Sequence, residues 1–193
     1  MKWNWGDLPM FGFDFMMVDY PWRFETWSDK GKEQKSPDRH YEGGTMTCSE
    51  IFEHFHLGQL AGKDCIVWFW GTHPMMDQQI DLGKRMGFKY VTSGVWVKRT
   101  VNGKLGFGTG YRLRSASEPF FIFTNGNPET VPVVRTVIEG PLRENSRKPD
   151  EAYEEAERLM PNAFRRADLF SREDRPGWTS FGDEVGKFNR SAA

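Results

Sequence analysis

The sequence predicts an α/β fold built on a mostly parallel sheet with helices on both faces, and three observations carry that prediction. Strand-length apolar runs recur at Phe13 to Val18, Lys63 to Trp70, Pro119 to Thr124 and Arg166 to Phe170. Segments with apolar residues at helical spacing separate them, at Ser49 to Leu60, Pro74 to Met86 and Pro149 to Leu159. The first apolar run ends at an acid, Asp19, and open α/β sheets bind ligands beyond the carboxyl ends of their strands.

Taken in order, Phe13 to Val18 (FDFMMV) reads as a buried strand. Thr26 to Gly44 is rich in Lys, Asp, Ser and Gly and reads as a long loop of the kind used as a lid or binding segment. Thr47 or Ser49 can cap the helix that runs on to Leu60. Lys63 to Trp70 (KDCIVWFW) is an apolar strand, and Pro74 to Met86 is a helix closed by Gly87. Lys89 to Val97 (KYVTSGVWV) is β-rich, and Pro119 to Thr124 (PFFIFT) is another buried strand. Pro149 opens a helix with acids in its first turns, which suits the positive end of the helix dipole. Arg166 to Phe170 (RADLF) is a short late strand. This order gathers the loops after Val18, Trp70 and Phe170 around one site.

With 193 residues, the chain can bury one sizeable core, so a single domain over residues 1–193 is expected, with 186–193 as a flexible tail. The eight Trp exceed what a core of this size ordinarily holds, and indole faces suit flat ligands and bases. A net charge of -1 supplies no global attraction to nucleic acid, which leaves phosphate contacts to local clusters such as Lys98 with Arg99, Arg112 with Arg114, and Arg143 with Arg147 and Lys148. Cys48 and Cys65 form no CxxC pair, and the start MKWNWGDLPM has no apolar signal core, so a cytoplasmic protein with no membrane contact is expected. His40, His54, His56 and His73 lack partners at ligand spacing, so no metal site is predicted. Gly106 to Gly110 lacks the strand–glycine loop–helix context of a phosphate loop, and no GxxxxGK[ST] occurs.

The chemistry-bearing motif is Asp19-Tyr20-Pro21-Trp22, placed directly after a buried strand. A turn alone would account for an acid followed by proline. The same four residues could also hold an aromatic amine, whose lone pair is delocalised into its ring. A carboxylate and a backbone carbonyl that accept its two N–H bonds would draw the nitrogen towards a tetrahedral form. Asp19 and the carbonyl of Tyr20 could be those acceptors, Pro21 would stiffen the turn, and Trp22 would offer a flat face.

The ordered set of motifs resembles the MT-A70 family of adenine-N6 methyltransferases. DYPW stands where that family has DPPW, followed by His40-Tyr41, Thr45-Met46, and the apolar strand Ile66 to Trp70. Met86-Gly87-Phe88, Trp96-Val97-Lys98 and Ser117-Glu118 come next. Asn145 to Asp150, Asp168 to Arg172, Gly177-Trp178 and Phe181 to Glu184 complete the series, so the likeness runs from about Phe13 to Glu184.

The resemblance implies a Rossmann-like class I methyltransferase fold and S-adenosyl-L-methionine as cofactor, with S-adenosyl-L-homocysteine as product and no metal. It implies that Asp19 holds the target amine and helps orient the cofactor, with Tyr20, Pro21 and Trp22 completing the catalytic turn. Trp22, Tyr41, Lys98 and Glu118 would face the substrate. Ser146, Lys148, Asp168, Leu169, Phe170, Arg172, Gly182, Asp183 and Glu184 would surround the cofactor, Lys148 at its carboxylate and Asp168 at its ribose. Two positions depart from the pattern: Tyr20 replaces the first Pro, and Asp168 stands where Glu is commoner.

The compact chain resembles the phage and bacterial members, which implies methylation of the adenine N6 amine in DNA by flipping the base out of the duplex. RNA methylation and a non-catalytic nucleic-acid-binding subunit are the alternatives. Sequence readout would fall to the loops at about 26–44 and 98–114, or to a partner subunit or a homodimer, giving short or relaxed specificity.

Overall fold

The computed structural model describes residues 3–23, 44–108, 110, 112–144 and 147–189. Within them, β1 (Phe13–Val18), β2 (Ala61–Trp70), β3 (Lys89–Arg99), β4 (Ser117–Asn125), β5 (Val137–Pro141), β6 (Arg166–Leu169) and β7 (Trp178–Phe181) form one sheet in the order β5-β3-β4-β2-β1-β6-β7. β1 pairs in parallel with β2 and β6, β6 with β7, and β3 with β5. Only β4 runs against its neighbours β2 and β3. The sheet is therefore mostly parallel and Rossmann-like, as the sequence predicts.

The apolar strands alternate their side chains between two cores, as the period of two requires. Met16 and Val18 of β1 point into one core, with Val67, Phe69, Phe121 and Phe123, and Phe13 joins them because the pairing with β2 shifts register between Phe13 and Phe15. The helices α1 (Cys48–His54) and α2 (Met76–Arg85) cover that face through Ile51 and Leu82. Phe15 and Met17 point the other way, joining Ile66, Trp68, Trp70 and Phe120 beneath Ala152, Tyr153 and Ala156 of α3 (Asp150–Leu159). Helices thus lie on both faces.

Thr47 caps α1: its hydroxyl accepts the Glu50 amide at 3.2 Å while the Glu50 carboxylate accepts the Thr47 amide at 2.7 Å. The helix stops at His54, short of the expected Leu60, because Phe55 turns its ring to Trp5 and Phe170 and gives its carbonyl to the Tyr20 hydroxyl at 2.6 Å. Gly87 follows α2 with φ +92°, the left-handed closing residue that glycine adopts without a Cβ penalty. β5 and β7, unread in the sequence, are short edge strands (VIEGP and WTSF) whose pairing is set by β3 and β6. Of the expected tail 186–193, residues 190–193 lie outside the described residues; before them, the Phe188 amide donates to the Arg172 carbonyl, and the Asn189 side chain bonds Asp174 at 2.9 and 2.8 Å. No helix of the described residues is long and apolar enough to cross a membrane.

Candidate active site

The reversal of β4 builds the site. Its amino end stands beside the carboxyl ends of β2 and β3, which puts Glu118 opposite Trp96 and near Lys98. Asp19 continues the α3-facing register of Phe15 and Met17, and Asp168 faces Met17 from β6. Lys148 enters from the segment before α3. Residues far apart in sequence therefore meet on one face, at one end of the sheet.

Lys148 lies at the centre. Its ammonium is 2.8 Å from Asp19 Oδ2 and 2.5 Å from Glu118 Oε1, and it sits 5.3 Å above the Trp70 ring. The other Glu118 oxygen meets Lys98 at 2.9 Å, and Lys98 lies over Trp96. The Lys148 side chain is 7% exposed and its two carboxylate partners 18% each, so this is a largely desolvated chain of alternating charge.

The two carboxyls respond differently. Burial pushes Asp19 up, Lys148 pulls it back, and the neighbouring Glu118 adds to the rise. Burial also works to raise Glu118, but Lys148 and Lys98 together outweigh it and hold its carboxyl below the usual range. For Lys148, burial would favour the neutral amine, yet Asp19 and Glu118 raise it above an ordinary lysine.

A second acid lies across the cleft. Asp168 is 3% exposed, and its Oδ2 accepts the Tyr153 hydroxyl at 2.9 Å. Burial pushes its carboxyl up to about 7, against the hydrogen bonds of Ser171 and Tyr153 and the charge of Arg175, while Asp19 repels it. Arg175 stacks 3.8 Å from the Tyr153 ring centroid and pairs with Asp150 and Glu173. Asp19, Trp70, Lys148, Tyr153, Asp168 and Phe170 share a cleft with a free volume of about 20 Å³, room for about one water. A larger cavity of about 370 Å³ opens between β2–β4 and the 126–136 loop, but no carboxylate lines it. Asp19, Lys148 and Asp168 line the smaller cleft instead.

The turn after β1 is tightly held. The Asp19 amide donates to the Leu169 carbonyl at 3.1 Å, and the Tyr20 carbonyl accepts the Trp22 amide at 2.9 Å. The Tyr20 ring packs against Trp22, Phe69 and Phe170. The Trp22 ring is 4% exposed and packs on Tyr20 and Phe69, on the core side of the turn. Leu169 also points away, into the core under α1 and α2, and reaches the site only through its backbone.

Phe170 adopts φ +62°, unusual for a side chain of its size, and its amide donates to the Phe181 carbonyl. Gly182 (φ +154°) follows, and a Cβ there would come to 3.0 Å from Phe170 Cα. Arg172 meets Glu184 at 2.7 Å, tying the segments after β6 and β7 together, and Asp183 is exposed beside them. Tyr41 and Ser146 lie outside the described residues. Sequence reading assigned no role to Tyr153, Glu173 or Arg175; only the packing of α3 against β6 reveals them. Several expected phosphate-binding cations already hold acids: Arg99 pairs with Glu139, Arg143 with Asp150 and Arg147 with Glu173. Among the described residues, no cluster of three or more His, Cys, Asp or Glu is placed to hold a metal ion.

The donor set suits a ligand with a carboxylate at one end and a diol at the other. Lys148 has three N–H donors and directs two of them at Asp19 and Glu118, which leaves one for an anion. Asp168 uses Oδ2 on Tyr153 and keeps acceptor capacity at Oδ1.

The chain is similar to several known methyltransferases. An MT-A70-like N(6)-adenosine-methyltransferase of Arabidopsis thaliana is 34% identical over 180 residues, covering 90% of this chain and 24% of that protein. The type II methyltransferase M.MunI of a Mycoplasma species is 25% identical over 193 residues, covering 92% of this chain and 80% of that protein. The human N(6)-adenosine-methyltransferase catalytic subunit METTL3 is 27% identical over 181 residues, covering 90% of this chain and 28% of that protein. The chain thus spans about a quarter of the length of these plant and human relatives. The family profile for MT-A70 matches residues 13–184, and the chain belongs to the MT-A70 family.

Proposed function

We propose that this protein transfers a methyl group from S-adenosyl-L-methionine to the N6 amine of adenine in DNA. The observation that carries the reading is the Asp19 carboxylate at the end of β1, held by Lys148 in a cleft shared with Asp168, in a chain of the MT-A70 family. When bound, the cofactor supplies an electrophilic methyl group on a sulfonium centre.

The protein's own part is orientation and electrostatics. Asp19 accepts one N–H of the amine, and the second lone pair of the Tyr20 carbonyl, beyond the one used by Trp22, accepts the other. Methylation makes the nitrogen cationic, and one proton must leave. Asp19, its proton affinity raised by burial, is suited to receive it and pass it to water. Lys148 keeps one donor for the cofactor's carboxylate, and Asp168 accepts from its ribose. Lys98 and Glu118 border the substrate side. Nucleoside-sized ligands need roughly 300 Å³ or more, so binding must part the 170–175 segment from Lys148.

DNA is favoured because one relative, of which this chain covers 80%, is a type II methyltransferase. The test is purified protein with tritiated S-adenosylmethionine, matched DNA and RNA, and digestion to nucleosides. Label in N6-methyldeoxyadenosine supports the reading. Label confined to N6-methyladenosine moves the substrate to RNA, and no label on either refutes an autonomous enzyme.

A further inference from the structure

We propose that Tyr153, clamped by Arg175, is a positioning residue that fixes the Asp168 carboxylate so that its second oxygen faces the cofactor's ribose diol. This deepens the cofactor site proposed above and rests on it.

Four observations point to this role. The Tyr153 hydroxyl donates to Asp168 Oδ2 at 2.9 Å in a fully packed setting, so one oxygen and the rotamer of the acid are fixed. The phenol ring cannot swing away: Trp178 abuts it edge-on at 5.4 Å, and the Arg175 guanidinium covers it at 3.8 Å. Arg175 is itself held by Asp150 at 2.6 Å and Glu173 at 2.9 Å, so the clamp joins the start of α3 to the segment after β6. Finally, Asp168 is 3% exposed, so its carboxyl has little room to take another orientation once that bond is made.

The bond also governs charge. An ionised carboxylate accepts from a diol far better than a carboxylic acid does. Burial drives Asp168 towards the neutral form, and the Tyr153 and Ser171 hydrogen bonds act against that. Other charged groups bordering the acid are Asp19 at the end of β1, Lys148 and Arg147 ahead of α3, and Arg172, Glu173 and Arg175 after β6. From β7, Ser180 stands opposite Asp168 and Trp178 is apolar at the ring, while Glu184 beyond β7 is engaged with Arg172. From α3, Tyr153 donates its hydroxyl to Asp168, so removing that hydroxyl should raise the acid's proton affinity further.

The test is Tyr153→Phe, which keeps the ring, the Arg175 stack and the Trp178 contact. Calorimetric titration with S-adenosylhomocysteine between pH 6 and 9 should show binding weakened about tenfold near pH 7, the scale of one lost bond to a charged group. The deficit should shrink as pH rises and Asp168 ionises in the variant as well. In an Asp168→Ala background, Tyr153→Phe should have no further effect, because it acts through the acid. Unchanged affinity, a loss independent of pH, or a full loss persisting in the Asp168→Ala background would each overturn the proposal. Failure of the unmodified protein to bind the nucleoside would instead refute the cofactor assignment itself, a separate outcome read in the same titration.

Discussion

Replacing Lys148 by Met removes a cation that two desolvated carboxylates share. At 2.8 and 2.5 Å, the two contacts are worth about 6 and about 7 kcal/mol gross at an effective dielectric near 20, and burying the ammonium costs several kcal/mol against that. Removing one partner of a buried pair costs about 3–5 kcal/mol, and with Asp19 and Glu118 each 18% exposed the low end, about 3 kcal/mol, is expected. For a chain of this length, that lowers the melting temperature by roughly 6–12 °C. The loss should depend on pH. Without Lys148, the folded-state pKa values of Asp19 and Glu118 rise above those of the unfolded chain. Their contribution is then intact below about pH 4 and is lost as pH climbs through the raised values. Urea unfolding at pH 5 and pH 8 should therefore show the larger deficit at pH 8. An equal deficit at both pH values would mean that Lys148 acts through packing rather than charge, and the electrostatic account of the site would fall.

Further outcomes follow from the same geometry. Asp19→Ala should reduce methyl transfer by at least about a hundredfold while weakening cofactor binding much less, because Lys148 keeps Glu118 and the proposed cofactor contacts lie mainly on the later segments; equal losses in turnover and calorimetric affinity would contradict that division. Asp168, pushed up to about 7, contributes stability to the ligand-free protein that is lost as pH rises through 7, whereas cofactor affinity should tighten over the same interval as the acid ionises; parallel melting and titration series from pH 6 to 8.5 would expose either sign as mistaken. Thr47→Ala removes one half of the α1 capping box and should cost about 1 kcal/mol, seen as a shift of about 2–4 °C with turnover unchanged.

Site residues and elements differ in how far the sequence alone reveals them. An acid followed by proline reads by itself as a turn, so Asp19, like Lys148 and Asp168, stands out through the ordered set of motifs around it. Tyr153 carried no such mark: on α3 it is one aromatic among apolar residues at helical spacing, and its hydroxyl acquires meaning only against Asp168. Trp22 shows the converse: its indole follows an acid in sequence, but where its ring packs is set by Tyr20 and Phe69, which burial of a large aromatic surface brings around it.

The sequence by itself determined the alternation of strands and helices, because periodicity and capping are local properties written in neighbouring residues. It determined the acidic turn after the first strand for the same reason, and the order of motifs that marks the family. Only the tertiary structure decided the direction of β4, the short edge strands β5 and β7, and which charges meet. Strand direction and edge pairing depend on partners many residues away, and a run such as PFFIFT is equally apolar in either orientation. The join of Asp19, Glu118, Lys98 and Lys148 depends on that direction, since a parallel β4 would carry Glu118 to the opposite end of the sheet.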